Sequence, residues 1–193
     1  MHYGNFQYLL DGDLGAGPEK CTAHDTTQLD VQTRVARALL AQGLIQEPYG
    51  VDVLHIAHHG SESSTSAAYH NLMKPEVGLI SVGRNQGTFL HPRQDVVNKV
   101  LLQDDQVSCV AAPPVKALFQ TEEGLKGCSI TGCTSFSGTV MGDIKLVTDG
   151  KKDYTITGNN RVHGGPKEAA PAEKRVFPLD EMATTKRRAG GSD

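Results

Sequence analysis

No stretch of this 193-residue chain reaches the ~18 consecutive apolar residues that a membrane-spanning helix needs. The opening residues show no basic segment followed by an apolar one, so nothing there reads as a secretory leader, and Met1 stands almost on the first predicted strand. The four cysteines, Cys21, Cys109, Cys128 and Cys133, do not form the two close pairs of a zinc ribbon. Free thiols are the plain expectation for them, with a Cys128–Cys133 disulfide as the alternative in an oxidising compartment. There is no internal repeat. Nor is there a strong charge of either sign: the net charge of −3 excludes little. Its distribution is more telling. Residues 1–110 carry 7 basic and 12 acidic side chains, 111–158 carry 5 and 5, and 159–193 carry 7 and 5. Bulk charge would not draw a polyanion to the first part, so phosphate binding there would need a cation to supply the field.

Against these absences, one stretch stands out. Ala57-His58-His59-Gly60-Ser61 follows the apolar run 51–56 and breaks into the hydroxyl-rich 62–66. A second carboxylate-bearing turn, Asp11-Gly12-Asp13, ends the apolar run 6–10. Taken in order, residues 6–10 predict a strand. Thr27 with Asp30 resembles a helix start, and Val31, Val35, Ala38 and Leu39 repeat at helical spacing up to a stop at Gly43. Residues 51–56 predict a strand, 66–73 a short helix ended before Pro75, and 77–82 a strand covered on both faces. Pro92 suits the first turn of a helix buried through Val96, Val97, Val100 and Leu101, and 107–111 predict a fourth strand. This alternation is the α/β pattern. Beyond Pro113-Pro114, residues 116–121, 139–148 and 154–157 are β-like, the last two flanking the turn Asp149-Gly150. The expected organisation is one domain over 1–158 and a disordered tail over 159–193, whose only apolar cluster is Val176-Phe177-Pro178-Leu179.

In such sheets the chemistry gathers at the carboxyl ends of the strands, and Asp13, His58 and His91 each fall just beyond one. Imidazole and carboxylate suit Zn, Mn or Fe. Asp13 is the first choice for a carboxylate bridging two ions; Asp11 is either a second ligand or a cap of the turn. Neighbouring side chains ordinarily diverge, so one of His58 and His59 would ligate and the other contact substrate or support the site. A surface histidine pair is the alternative. Ser61 lacks a Gly-x-Ser-x-Gly elbow, and a hydrogen-bonding role suits it better than nucleophilic attack. His91, at a helix entry, would hold substrate or donate a proton, or else simply open the helix. His2, His24, His55, His70 and His163 read as surface or core residues.

Leu9-Leu10-Asp11-Gly12-Asp13 resembles the Leu-Thr-Gly-Asp motif of the metallo-β-lactamase superfamily. The run from Val53 through Ala57-His58-His59-Gly60-Ser61, then Pro75-Glu76-Val77-Gly78-Leu79-Ile80-Ser81-Val82-Gly83 and His91-Pro92, is similar to its ComEC-type branch, which includes the hydrolase-like domain of competence DNA-uptake proteins. The resemblance covers roughly residues 6–111, with a weaker one at 142–156. It implies a four-layer αββα sandwich with a dinuclear Zn or Mn site, hydrolysing phosphodiesters through metal-activated water. It implies Asp13 as bridging ligand, His58 as the last histidine ligand with His59 the alternative, and His59 and His91 facing substrate. The family's His-x-His-x-Asp-His motif is nowhere in this sequence. The expectation is therefore the C-terminal half of the fold, with a missing N-terminal half or a partner chain supplying the rest. A small-molecule ester or lactone hydrolase is the second reading. The third is a non-catalytic remnant that binds a partner through an uncovered apolar sheet face.

Overall fold

Continuous apolar runs become strands here because the chain can bury both of their faces. A computed structural model describes residues 1–18, 21, 27–45, 50–83, 89–104, 109–122, 124, 139–159 and 174–179. Strand β1 (His2–Tyr3) turns back antiparallel onto β2 (Phe6–Leu10). Then β3 (Val53–His55), β4 (Val77–Ile80), β5 (Ala117–Gln120) and β6 (Thr139–Val140) line up beside β2 in chain order, all parallel. Leu9 sits opposite Leu54, Leu54 opposite Gly78, and Gly78 opposite Leu118. A Cβ on Gly78 would come within 2.7 Å of Leu118 Cδ1, so any larger residue in this row would require the Leu118 side chain to shift.

The crossovers carry α1 (Gln32–Ala41), α2 (Ala67–Met73) and α3 (Val96–Leu101), the last a wide π-type helix with Leu102 N–H donating five residues back to Val97 O. Parallel crossovers share one hand, so unbroken strand order puts all of these helices on one face. There Ala36, Tyr69, Met73, Val96, Val97 and Leu101 pack on Leu54, Ile56, Ile80 and Leu118. The opposite face, with Phe6, Val53, Val77, Leu79 and Phe119, packs on a second, antiparallel sheet of β7 (Ile144–Thr148), β8 (Asp153–Gly158) and β9 (Lys174–Pro178). Tyr154 is the hinge pin of that contact. Its ring lies 5.1 Å from those of Phe6 and Phe177, and its hydroxyl donates to Glu76 Oε2 at 3.0 Å. The result is a mixed α/β molecule layered helix, sheet, sheet.

Several expectations are corrected. The fourth parallel strand is Ala117–Gln120, not 107–111; residues 109–111 are not strand, and Val110 instead joins a small cluster with Cys21, Ala67, Val100 and Ala112. Helix α1 starts at Gln32, with Asp30 Oδ1 accepting from Thr33 N–H at 2.9 Å, and buries Gln32, Thr33 and Ala36, while Val31 and Ala38 are exposed. The expected tail contributes β9, with Phe177 and Leu179 buried. The apolar face of the parallel sheet is covered by β7–β9, which removes the uncovered surface that the remnant reading requires. Cys21 and Cys109 form a disulfide, so neither is a free thiol. Cys128 and Cys133 lie outside the described residues. No helix among the described residues is long and apolar enough to cross a membrane.

Candidate functional site

The site is built on a turn that strains the backbone. Ile56 N–H donates to Leu79 O at 2.8 Å, after which the chain leaves β3 and coils tightly through Ala57–Gly60. His58 (φ 49°, ψ 42°) and His59 (φ 56°, ψ 25°) both adopt the left-handed conformation, followed by Gly60 at φ 79°. For a non-glycine residue this costs roughly 1–2 kcal/mol. Four hydrogen bonds hold it. His58 N–H donates to Gly12 O, Ser61 N–H to His58 O, Ser64 Oγ to Ala57 O and Arg93 N–H to Gly60 O, each at 2.9 Å. A Cβ on Gly60 would lie 2.7 Å from Pro92 Cβ, so glycine is required there by space as well as by φ.

The strained turn keeps the two histidines from diverging, contrary to expectation. Both rings flank His91: the three centroids form a triangle with edges of 5.4 Å (His58–His91), 6.4 Å (His58–His59) and 6.5 Å (His59–His91). His91 is buried, and burial pushes its pKa down to about 4, with the neighbouring His58, His59 and Arg93 adding to the effect and Glu62 opposing it. Arg93 Nε donates to Glu62 Oε2 at 2.7 Å. Phe89 stacks on His91 at 6.0 Å yet is 67% exposed, an aromatic rim to the imidazole cluster.

The two aspartates part company. Asp11 turns inward, accepting from Gln32 Nε2 at 2.9 Å and from the Tyr69 hydroxyl. Burial raises its pKa, and these two hydrogen bonds partly counter that. Gln32 Oε1 also accepts from Thr65 N–H at 2.6 Å, so Asp11, Gln32 and Thr65 clamp three segments together. Asp11 is thus a brace within the fold. Asp13 is exposed, in the turn whose Gly12 carbonyl holds His58.

Behind the doublet lies the hydroxyl run, of which the sequence singled out only Ser61. Ser61, Ser63, Ser64, Thr65 and Ser66 are all buried. Ser63 Oγ lies 3.2 Å from His58 Nδ1 and 3.0 Å from Ser61 Oγ. His59 Nδ1 lies 2.5 Å from the Ser81 carbonyl. A hydroxyl run directly after paired histidines is the signal that could have flagged Ser63; nothing local flags Gln32, Tyr69 or Ser81. Of the other histidines, His2 is exposed, His70 is fully buried, and His24 and His163 lie outside the described residues. His55, its pKa lowered by burial and by the nearby His59, lines a cavity of about 350 Å³ with Tyr8, Leu79, Ser81, Thr121 and Leu146. Ser81 joins that cavity to His59.

Among the described residues, no group of three or more His, Cys, Asp or Glu side chains is placed to hold an ion. These residues do not by themselves fit a two-ion centre. Comparison with protein-family models, with curated proteins and with solved structures returns no match to this chain.

Proposed function

We propose that this chain is the second half of a metal-dependent hydrolase domain, a ComEC-like branch of the metallo-β-lactamase fold, acting on phosphodiesters such as DNA. The observation that carries the reading is the imidazole triangle at the carboxyl end of the parallel strands, linked through the Gly12 carbonyl to the Asp13 turn. Ligands in one order along the chain, gathered on one sheet edge, are what the motif resemblance requires. In this assignment Asp13 and one member of the doublet, His58 first and His59 as alternative, are the ligands this chain contributes to Zn or Mn. His91 and the other member face substrate. Since the donors among the described residues do not close a centre, the remaining ligands in this reading come from a missing N-terminal half or from a partner chain, and the αββα sandwich is completed with them. The two packed sheets and single helical layer are compatible with three of its four layers.

The test is equilibrium dialysis against Zn or Mn, followed by nuclease assay. This chain should bind either ion weakly and below two per chain, and Asp13→Ala should abolish that binding. Two tightly held ions would refute incompleteness; unchanged binding in Asp13→Ala would refute the ligand assignment. The cavity beside Ser81, lined largely by apolar side chains, favours a second reading, an ester or lactone hydrolase for small molecules. Faster turnover of aryl esters than of phosphodiesters by a completed domain would select it.

A further inference from the structure

We infer that His58 and His59 are held in opposite tautomers, the His58 proton on Nε2 and the His59 proton on Nδ1, so that the turn offers one ring N–H donor and one ring lone pair to a phosphoryl group that carries a hydroxyl or is accompanied by a water. The ligand rests on the phosphodiester reading above; the tautomers rest on hydrogen-bond counting alone.

His59 is the simpler case. Its Nδ1 faces the Ser81 carbonyl at 2.5 Å, and a carbonyl oxygen only accepts. Nδ1 therefore carries the proton, and Nε2 of the neutral ring keeps its lone pair. His58 is settled by the hydroxyls behind it. Ser61 and Ser63 are buried, and each hydroxyl has one proton to donate. Ser63 N–H already donates to Ser61 Oγ at 3.3 Å. The acceptor within reach of the Ser61 hydroxyl is Ser63 Oγ at 3.0 Å, and the Ser63 hydroxyl is then left to donate to His58 Nδ1 at 3.2 Å. The reverse order would strand the Ser61 proton in a buried place, at a cost of about 1–3 kcal/mol. His58 Nδ1 is thus an acceptor, and its proton sits on Nε2. Ser61 and Ser63 are positioning residues: they turn His58 into a donor toward an anionic oxygen. With its Nε2 protonated, His58 has no lone pair there to offer a cation, whereas His59 has; of the two ligand assignments above, the tautomers therefore favour the alternative, His59, and leave His58 to bind substrate oxygen.

The experiment uses the ¹⁵N-labelled full chain. Two-bond proton–nitrogen correlation spectra at pH ~8, above the ordinary imidazole range, report which ring nitrogen carries the proton. The expected pattern is Nε2–H for His58 and Nδ1–H for His59, each assigned by its disappearance in the His→Gln variant. Ser63→Ala should shift the His58 Nδ1 resonance and leave His59 unchanged. Titration with inorganic phosphate should then move both rings. His58→Ala should weaken phosphate binding roughly tenfold to a hundredfold, the loss of one hydrogen bond to a charged group, whereas His58→Gln, whose amide keeps a donor near Nε2, should bind within about threefold of wild type. Two like tautomers, or Nδ1–H at His58, would overturn the inference and leave the hydrolase reading untouched. Opposite tautomers without phosphate binding would overturn the ligand and count against the hydrolase reading as well. The tautomers are read on the wild-type chain, so a variant that fails to fold does not remove the test.

Discussion

Opening the Cys21–Cys109 bond should remove a large share of the stability of this fold. The bond closes a loop of 88 residues, and chain-entropy scaling gives about 15 cal/mol/K, or about 4.6 kcal/mol at 25 °C. The Cα atoms lie 5.5 Å apart, within the ordinary range for a disulfide. Cys21 is packed against a cluster with Ala67, Val100, Val110 and Ala112, so the native arrangement does not need the bond to remain well packed. The effect should therefore fall chiefly on the unfolded chain. A domain of this size is stable by about 5–15 kcal/mol, so losing 4.6 leaves it marginal or moderately stable. With a urea slope of about 2 kcal/mol/M, the unfolding midpoint should drop by roughly 2 M when a phosphine reductant is added. The variant with both Cys21→Ala and Cys109→Ala should match the reduced protein and ignore the reductant. A peptide map under non-reducing conditions should recover Cys21 and Cys109 joined. Recovery of either one alkylated, or paired with Cys128 or Cys133, would refute the pairing. A midpoint unmoved by reductant would refute the entropic estimate.

Two further outcomes follow from buried polar groups. Gln32→Ala removes the partner of both Asp11 and the Thr65 amide and should cost about 2–4 kcal/mol in urea unfolding; a loss below about 0.5 kcal/mol would show that the clamp contributes little. His70 is fully buried, and burial lowers its pKa below the ordinary histidine value near 6.5, so the unfolded chain takes up a proton first as pH falls. Its contribution is complete above pH ~6.5 and is lost as pH falls below that toward the folded pKa; the stability of His70→Leu should decline less steeply over the same window. A His70 ring seen by NMR to titrate in the folded protein at or above the ordinary histidine value near 6.5 would contradict this.

The strands that position the site were legible because their signals are local. Residues 6–10 and 77–80 are nearly continuous apolar runs, and each became a parallel strand at or within a residue or two of its expected bounds. The fourth strand was misplaced because 107–111 and 116–121 both carry β-like residues. What separates them is the small cluster that Val110 and Ala112 form with Cys21, Ala67 and Val100, a contact between residues far apart in the chain that no local signal shows. Helix α1 hid its inner face for a related reason. Apolar spacing pointed to Val31 and Ala38, but the side chain that fills the interior there is Gln32, whose amide donates to Asp11 and accepts from the Thr65 N–H at once. That Asp11 is a brace, and neither a second ligand nor a cap of its turn, was not legible in the sequence, since what turns it inward is Gln32 and Tyr69, 21 and 58 residues further on. Strand β9 was missed because five residues with one buried aromatic look like tail until a partner edge is supplied by β8.

The strand-end rule put Asp13, His58 and His91 at one edge, but it did not foresee the means by which the adjacent His59 joins His58 and His91 there. In an extended chain successive side chains point to opposite faces, and His58 and His59 would have been separated by the sheet edge. The left-handed turn removes that alternation at a combined cost of order 2–4 kcal/mol. Glycine would adopt the same angles freely, so the fold itself gives no reason for histidine at both positions. Strain of this kind persists only where the surroundings over-determine it. Here they do: the Gly12 and Leu79 carbonyls hold the chain on either side of the entry, Arg93 N–H holds the exit, and the buried hydroxyls of Ser61, Ser63 and Ser64 grip the turn from within. The Asp13 turn takes part in that grip through its backbone while leaving the Asp13 side chain exposed. Main-chain hydrogen bonds thereby fix the two imidazole-bearing residues against the turn that carries Asp13, independently of any ligand, and the stability given up at His58 and His59 is strain that this network holds in place.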